Sequence, residues 1–166
     1  MTITAPSDGD LCDPQWAQDI TTEVNSQTTT LATLSGAWTS YTPVWSSTGT
    51  AVSLGNGTIT GAYRQIGMTV DVRIVLTMGG TTTYGTGAYR VSLPVTPQID
   101  SILFGVCYDQ SASKRYRTNV HVVLASATGD NMRMSSDDTG SNVGQLSPFT
   151  WAASDKLIIG GTYEAA

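Results

Sequence analysis

The chain has 166 residues, 40% of them hydrophobic and only 13% charged, with a formal net charge of -5. That length holds one domain and a short appendage, and it needs neither disulfides nor a metal for stability. The acidic balance argues against nucleic acid as a partner, because phosphate binding needs clustered Lys and Arg. Few charges beside many Thr, Ser and Gly suit an assembled β protein better than an enzyme.

Residues 1–13 read as a polar, extended arm, with Pro6 and Gly9 set against any regular element. Asp8 and Asp10 flank Gly9 without the ligand order of a calcium loop. Met1-Thr2-Ile3-Thr4 has no basic region and no apolar core, so no secretory signal is expected. No run approaches the roughly 20 apolar residues of a membrane span. The arm is expected to lie across a neighbouring protein and to order there. Cys12 and Cys107 are the only cysteines, and their spacing predicts neither a zinc site nor a redox pair. Cys107 reads as a small buried hydrophobe, and Cys12 as a candidate for pairing with a neighbouring subunit.

Asp13-Pro14 is a helix start, a capping side chain followed by proline at the first helical position. The helix is predicted from Pro14 to about Leu34, stopping at Ser35-Gly36, so residues 14–36 form one unit. Ala17, Ile20, Val24, Gln27, Leu31 and Leu34 are spaced alternately by three and four, a heptad seam with one polar interruption at Gln27. Six threonines weaken the helix as an isolated element. A narrow stripe on a weak helix favours a short parallel coiled-coil stalk of three chains, in which the Gln27 amides hydrogen-bond around the axis. The other reading is an amphipathic helix lying on its own β domain.

Trp38, Tyr41 and Trp45 follow the helix. They read as a collar or as core of a first strand across 38–45, with a glycan platform as the alternative. Ile59, Gly61, Tyr63 and Gln65 alternate with Thr58, Thr60, Ala62 and Arg64, and Val70, Val72, Ile74 and Leu76 alternate with Thr69, Asp71, Arg73 and, less cleanly, Val75. Period two predicts a hairpin with arms 58–65 and 68–78 and a tight turn at Gly67. Gly55-Asn56-Gly57 reads as a turn; no helix follows, so it is no phosphate cradle.

These residues carry a resemblance. The string W-x-x-Y-x-P-x-W from Trp38, L-G-N-G-T-I-T-G-A-Y-R-Q-I-G from Leu54, V-x-V-R-I-V-L from Val70 and T-Y-G-T-G-x-Y-R-V-S-L-P from Thr83 resembles small β domains of tailed bacteriophages. Such domains recur in minor tail proteins, fibres and head decorations, especially in phages of actinobacteria. The resemblance covers the middle third of the chain closely. It implies a virion structural protein and carries no catalytic residues.

Further strands are predicted at 88–93, 101–108, 118–125, 131–135 and 156–163, with Val120, Val122 and Leu124 facing one way and His121 and Val123 the other. Lys114-Arg115-Tyr116-Arg117 reads as a solvated loop, and Phe149 with Trp151 as a cover for one end of the core. Eight or so strands in residues 37–166 predict an antiparallel, jelly-roll-like β-sandwich.

Chemistry-bearing groups are sparse. His121 has no Cys or Asp at ligand spacing, no G-x-S-x-G elbow is present, and Asp71 and Asp109 form no evident acid pair. No catalytic residue, metal site or cofactor is expected. The expectation is therefore a trimeric, non-enzymatic virion protein, made in the host cytoplasm and held on a capsid or tail through residues 1–13. Loops 79–87 and 137–142 would face the medium, either as soluble tips or, with Tyr84, Thr82 and Asn142 as glycan contacts, as an adhesive end toward the host envelope. A carbohydrate-binding module is the alternative, and a polysaccharide-degrading tip a third reading.

Overall fold

The computed structural model describes residues 14–34, 36–124, 132–136 and 140–166. The chain divides into two compact units, Met1–Ala37 and Trp38–Ala166. The arm, Cys12 and the Asp13 cap lie outside the described residues.

The first unit contains α1 (Pro14–Leu34). Thr21, Thr22, Thr28, Thr29 and Thr30 each donate their hydroxyl to the backbone carbonyl four residues earlier. This satisfies polar side chains that would otherwise compete with the helix. Gln27 donates to Glu23 at 3.1 Å along the same helix. Gly36 has φ +53°, the left-handed conformation that commonly follows a helix end.

The second unit is all antiparallel β. Seven strands form one sheet in the order β1 (Thr39–Tyr41), β3 (Thr58–Ile66), β4 (Thr69–Thr77), β9 (Lys156–Glu164), β6 (Ser101–Asp109), β7 (Lys114–Val122) and β8 (Met132–Ser136). β2 (Trp45–Ser47) and β5 (Tyr89–Val91) make a separate pair. The fold is sandwich-like, with strands divided seven and two, where a jelly roll has two comparable sheets.

The central hairpin follows the predicted alternation. Ile66 pairs with Thr69 across Gly67-Met68, and Gly67 takes φ +60°, which a two-residue turn with glycine first requires. Val70, Val72, Ile74 and Leu76 all point to one buried face. Leu157, Ile159 and Tyr163 of β9, Leu103 and Cys107 of β6, and Val120 and Val122 of β7 continue it. Burial pushes the Cys107 thiol up to about 12, in keeping with a buried hydrophobe.

This inner face is covered by an aromatic chain and by loops. Trp45 meets Tyr89 edge-on with centroids 5.1 Å apart, and Tyr89 approaches Trp151 at 6.2 Å. Trp151 then meets Phe149 at 4.7 Å, and Phe149 meets Tyr116 at 5.2 Å. The Trp151 indole N–H donates to the Gly144 carbonyl at 2.9 Å, so its burial leaves no orphan donor. At the β3 edge the Tyr41 ring lies over Gly61, where an added Cβ would be 2.5 Å from the ring.

Three strand expectations are corrected. Residues 38–45 form no single strand: Thr39–Tyr41 joins the large sheet and Trp45–Ser47 the small one, with the chain breaking at Pro43, which cannot donate to a ladder. Lys114-Arg115-Tyr116-Arg117 is no loop but the start of β7. The turn lies earlier, where the Asp109 carboxylate accepts from Ser111 Oγ and the Ala112 N–H, and Ser113 takes φ +52°. β7 ends at Val122, and Leu124, expected to share a face with Val120 and Val122, is exposed while those two are buried.

Asp155 ties three segments together. Its buried carboxylate accepts from the Gln110 N–H at 2.9 Å and the Ala152 N–H at 2.6 Å, while its carbonyl accepts from Met78 at 2.9 Å. Replacing it by Ala removes the acceptor of two part-buried backbone hydrogen bonds, each worth about 1–2 kcal/mol with an ionised acceptor. Asp155→Ala is expected to lower stability by about 2–4 kcal/mol in denaturant unfolding, with β content retained below the transition. The chain shortened to residues 38–166 is expected to melt cooperatively, since the apolar core among the described residues falls entirely within it; calorimetry checks this.

Candidate interaction surface

The outward face of the seven-stranded sheet is built in rungs set by strand register. Arg73 of β4 stands opposite Gly160 of β9, which stands opposite Phe104 of β6 and then Asn119 of β7. The neighbouring rung is Val75, Ile158, Val106 and Arg117. The next is Thr77, Lys156, Tyr108 and Arg115. Strict alternation would place polar residues at these positions, since an antiparallel sheet with one face in water reads apolar-in, polar-out. Here Phe104 is 69% exposed, Ile102 59%, Ile158 43% and Val75 36%.

Gly160 leaves a gap in the middle of this strip, and the gap becomes a groove of about 400 Å³ lined by Arg73, Val75, Phe104, Val106 and Ile158. On the other side of Arg73 a groove of about 230 Å³ is lined by Trp38, Arg64, Asp71 and Thr162. The Trp38 ring lies 3.9 Å from the Arg73 guanidinium and 5.5 Å from that of Arg64. Such stacking holds a long cationic side chain in place. Arg64 Nε also donates to Asp71 at 2.6 Å, and Thr162 donates to the other Asp71 oxygen at 2.6 Å. The Thr162 hydrogen bond, and then the Arg64 hydrogen bond, hold the Asp71 carboxyl below its ordinary range. Arg115 stacks on Tyr108 at 4.8 Å. Among the described residues, Arg73, Arg115, Arg117 and Lys156 have no carboxylate ion-pair partner.

The residues singled out from sequence are scattered over both units. On α1, Ala17, Val24, Gln27 and Leu31 are exposed and Ile20 is half-buried; the Leu34 side chain lies outside the described residues. Of the three aromatics after the helix, Trp45 is core and Tyr41 packs against it, whereas Trp38 sits on the outward face with its ring engaged by arginines. Loop 79–87 is zipped to segment 48–57. Ser53 and Thr83 exchange both backbone hydrogen bonds at 2.9 Å, and the Asn56 and Thr81 side chains each accept from the other's N–H at 2.9 Å. Thr82 Oγ1 donates to the Leu54 carbonyl and accepts from the Gly79 N–H. Tyr84 is half-buried against the core, and that burial raises its pKa. Asn142 is exposed beside a groove of about 380 Å³ that Thr86, Gln145, Leu146 and Ser147 also line. Residues 137–139 of the second loop lie outside the described residues.

His121 approaches Asp100 at 3.8 Å, both exposed. Among the described residues no three His, Cys, Asp or Glu side chains gather as a metal site, and no helix is long and apolar enough to cross a membrane. Asp71 on β4 is engaged by Arg64 and Thr162, and Asp109 at the end of β6 by Ser111 and Ala112 of the following turn. The outward strip was missed by sequence reading, although its signal was present in Val75 and Ile158, which break the alternation.

Comparison with family models, with curated proteins and with solved structures finds no match to this chain.

Because the folded-state value of Asp71 is depressed, its contribution to stability is full above the unfolded value of about 3.9 and is lost as pH falls through the folded value. Asp71→Asn is therefore expected to be less stable than wild type at pH 7, with the difference shrinking below about pH 4. Thermal melts between neutral and acid pH measure this; a difference that grows on acidification contradicts it.

Proposed function

We propose that the chain is a non-enzymatic structural protein of a tailed-phage particle: a small trimeric fibre, decoration or minor tail protein. In this reading residues 1–13 attach it to a capsid or tail protein, α1 forms the stalk and residues 38–166 the head. The virion assignment rests on the resemblance of residues 38–94 to phage β domains. One observation carries the oligomer. The apolar stripe of α1 is in water, with Val24 54% and Leu31 65% exposed, while the β unit has its own complete core. A 21-residue helix of modest propensity gains most of its stability from packing, and three identical stripes bury one another without any other partner.

Host-surface adhesion is a further role in the same reading, with Asn142 as the exposed member of the three candidate glycan contacts. The groove beside Asn142 favours it, because exposed amide and hydroxyl groups around an open cleft suit sugar hydroxyls. Three copies would raise a weak affinity through avidity. The same groove would serve a carbohydrate-binding module, which differs in needing no trimer and no particle.

Sedimentation equilibrium of the whole chain is expected to give a trimer, and Val24→Asp with Leu31→Asp to give a monomer with unchanged β signal. A wild-type monomer at high concentration would overturn the stalk. Removal of residues 1–13 is expected to abolish incorporation into particles while leaving the trimer intact; wild-type incorporation would place attachment elsewhere.

A further inference from the structure

We infer that Arg73, with the bare backbone of Gly160 beside it, is a binding site for a sugar carboxylate, a uronate unit of an acidic polysaccharide. The site lies wholly within the unit Trp38–Ala166. It therefore needs neither α1 nor a particular oligomer, and it is separate from the groove beside Asn142.

Arg73 is held in place and still has a free fork. Its guanidinium lies 3.9 Å from the centre of the Trp38 ring. A guanidinium packed on a ring keeps its N–H donors in its own plane, where they can take a carboxylate by two parallel hydrogen bonds. Among the described residues Arg73 has no carboxylate ion-pair partner, whereas the neighbouring Arg64 is already engaged with Asp71 at 2.6 Å. Two guanidiniums against one carboxylate leave one positive charge in this groove. That matches a monoanion. A phosphate, which carries up to two charges near neutral pH, would be left under-neutralised beside Asp71.

The floor beside Arg73 is bare without any need from packing. Gly160 stands on the rung between Arg73 and Phe104. A Cβ there would meet nothing nearer than the Val72 carbonyl oxygen at 3.6 Å, an ordinary contact. Its φ lies outside the left-handed region, so the backbone does not require glycine either. Glycine inside a strand is weakening relative to a β-branched residue. What it provides is close approach to the backbone from outside.

The surroundings of that floor fit a sugar acid. Grooves of about 230 and 400 Å³ meet at Arg73 and Gly160, which line both. The smaller one offers sugar hydroxyls the Asp71 carboxylate and Thr162 Oγ1, which donates to Asp71 and keeps its lone pairs. The larger one offers the Phe104 ring, 69% exposed. A pyranose acid presents the complementary set: a carboxylate, hydroxyls around its rim, and a C–H face that packs on an aromatic ring. An anion with only apolar groups attached would leave the Asp71 and Thr162 side without a partner.

The full chain, isotopically labelled for nuclear magnetic resonance, is titrated with glucuronate, glucose, acetate and inorganic phosphate while the Arg73 Nε–H and Trp38 indole N–H signals are followed. Glucuronate is expected to shift both saturably, and to bind about tenfold or more tighter than glucose or acetate. Arg73→Gln and Gly160→Val are each expected to weaken glucuronate about tenfold or more, with amide signals remote from the site unchanged. Should Gly160→Val fail to fold, Arg73→Gln decides, because that side chain is exposed and outside the core. Acetate binding as tightly as glucuronate overturns the sugar, and phosphate binding more tightly overturns the carboxylate. No saturable shift, or glucuronate binding kept in Arg73→Gln, overturns the site. Binding lost in Asn142→Ala but kept in Arg73→Gln also overturns it, and leaves adhesion through the loop groove standing.

Discussion

The inner face of β4, β9, β6 and β7 must be kept from water, and the chain does this with only two short strands opposite seven. The deficit is made up by aromatic bulk. Trp45, Tyr89, Trp151, Phe149 and Tyr116 run in contact across the apolar floor and supply the volume that a second large sheet would otherwise provide. Large rings are suited to this because each buries extensive surface with little conformational freedom to lose. Loops then have to hold the rings down, and a loop over a core must satisfy its own backbone groups.

That requirement explains the composition. The Thr, Ser, Gly and Asn of segments 48–57 and 79–88 bond to one another, through Ser53 with Thr83, Asn56 with Thr81, and Gly49 with Thr86. Asp155 does the same work beside the start of the second segment, where its carbonyl accepts from Met78 and its carboxylate reaches two backbone N–H groups from separate segments. The abundance of small hydroxyl residues is thus chiefly a packing device for covering loops. Tyr84 and Thr82 belong to this device, which leaves Asn142 as the candidate contact open to solvent.

The outward face follows a different logic. One face of the sheet already supplies the core of the head, so Phe104, Ile158 and Val75 are not needed for its folding. Gly160 opens a groove among them, Trp38 fixes Arg73 beside them, and four cations there lack carboxylate ion-pair partners among the described residues. The stripe on α1 is likewise superfluous to the head.

Local pattern was enough to specify some of this. Alternation gave the hairpin with arms 58–65 and 68–78 and its Gly67 turn, because side-chain period reports directly on which face is buried, and proline and glycine gave the ends of α1. Other features depend on what lies across space. Residues 38–45 split between two sheets because Tyr41 and Trp45 have different partners, Gly61 and Tyr89, far along the chain. The basic run 114–117 became strand because β6 supplied a ladder for it, overriding its polarity. The Trp38–Arg73 stack and the apolar strip arise from register between strands distant in sequence, and no local window contains both halves of such a pair. The sequence by itself determined the helix bounds and the central hairpin with its buried side; only the tertiary structure decided where the remaining strands begin and end and which are neighbours, and hence which outward residues stand together on one exposed face.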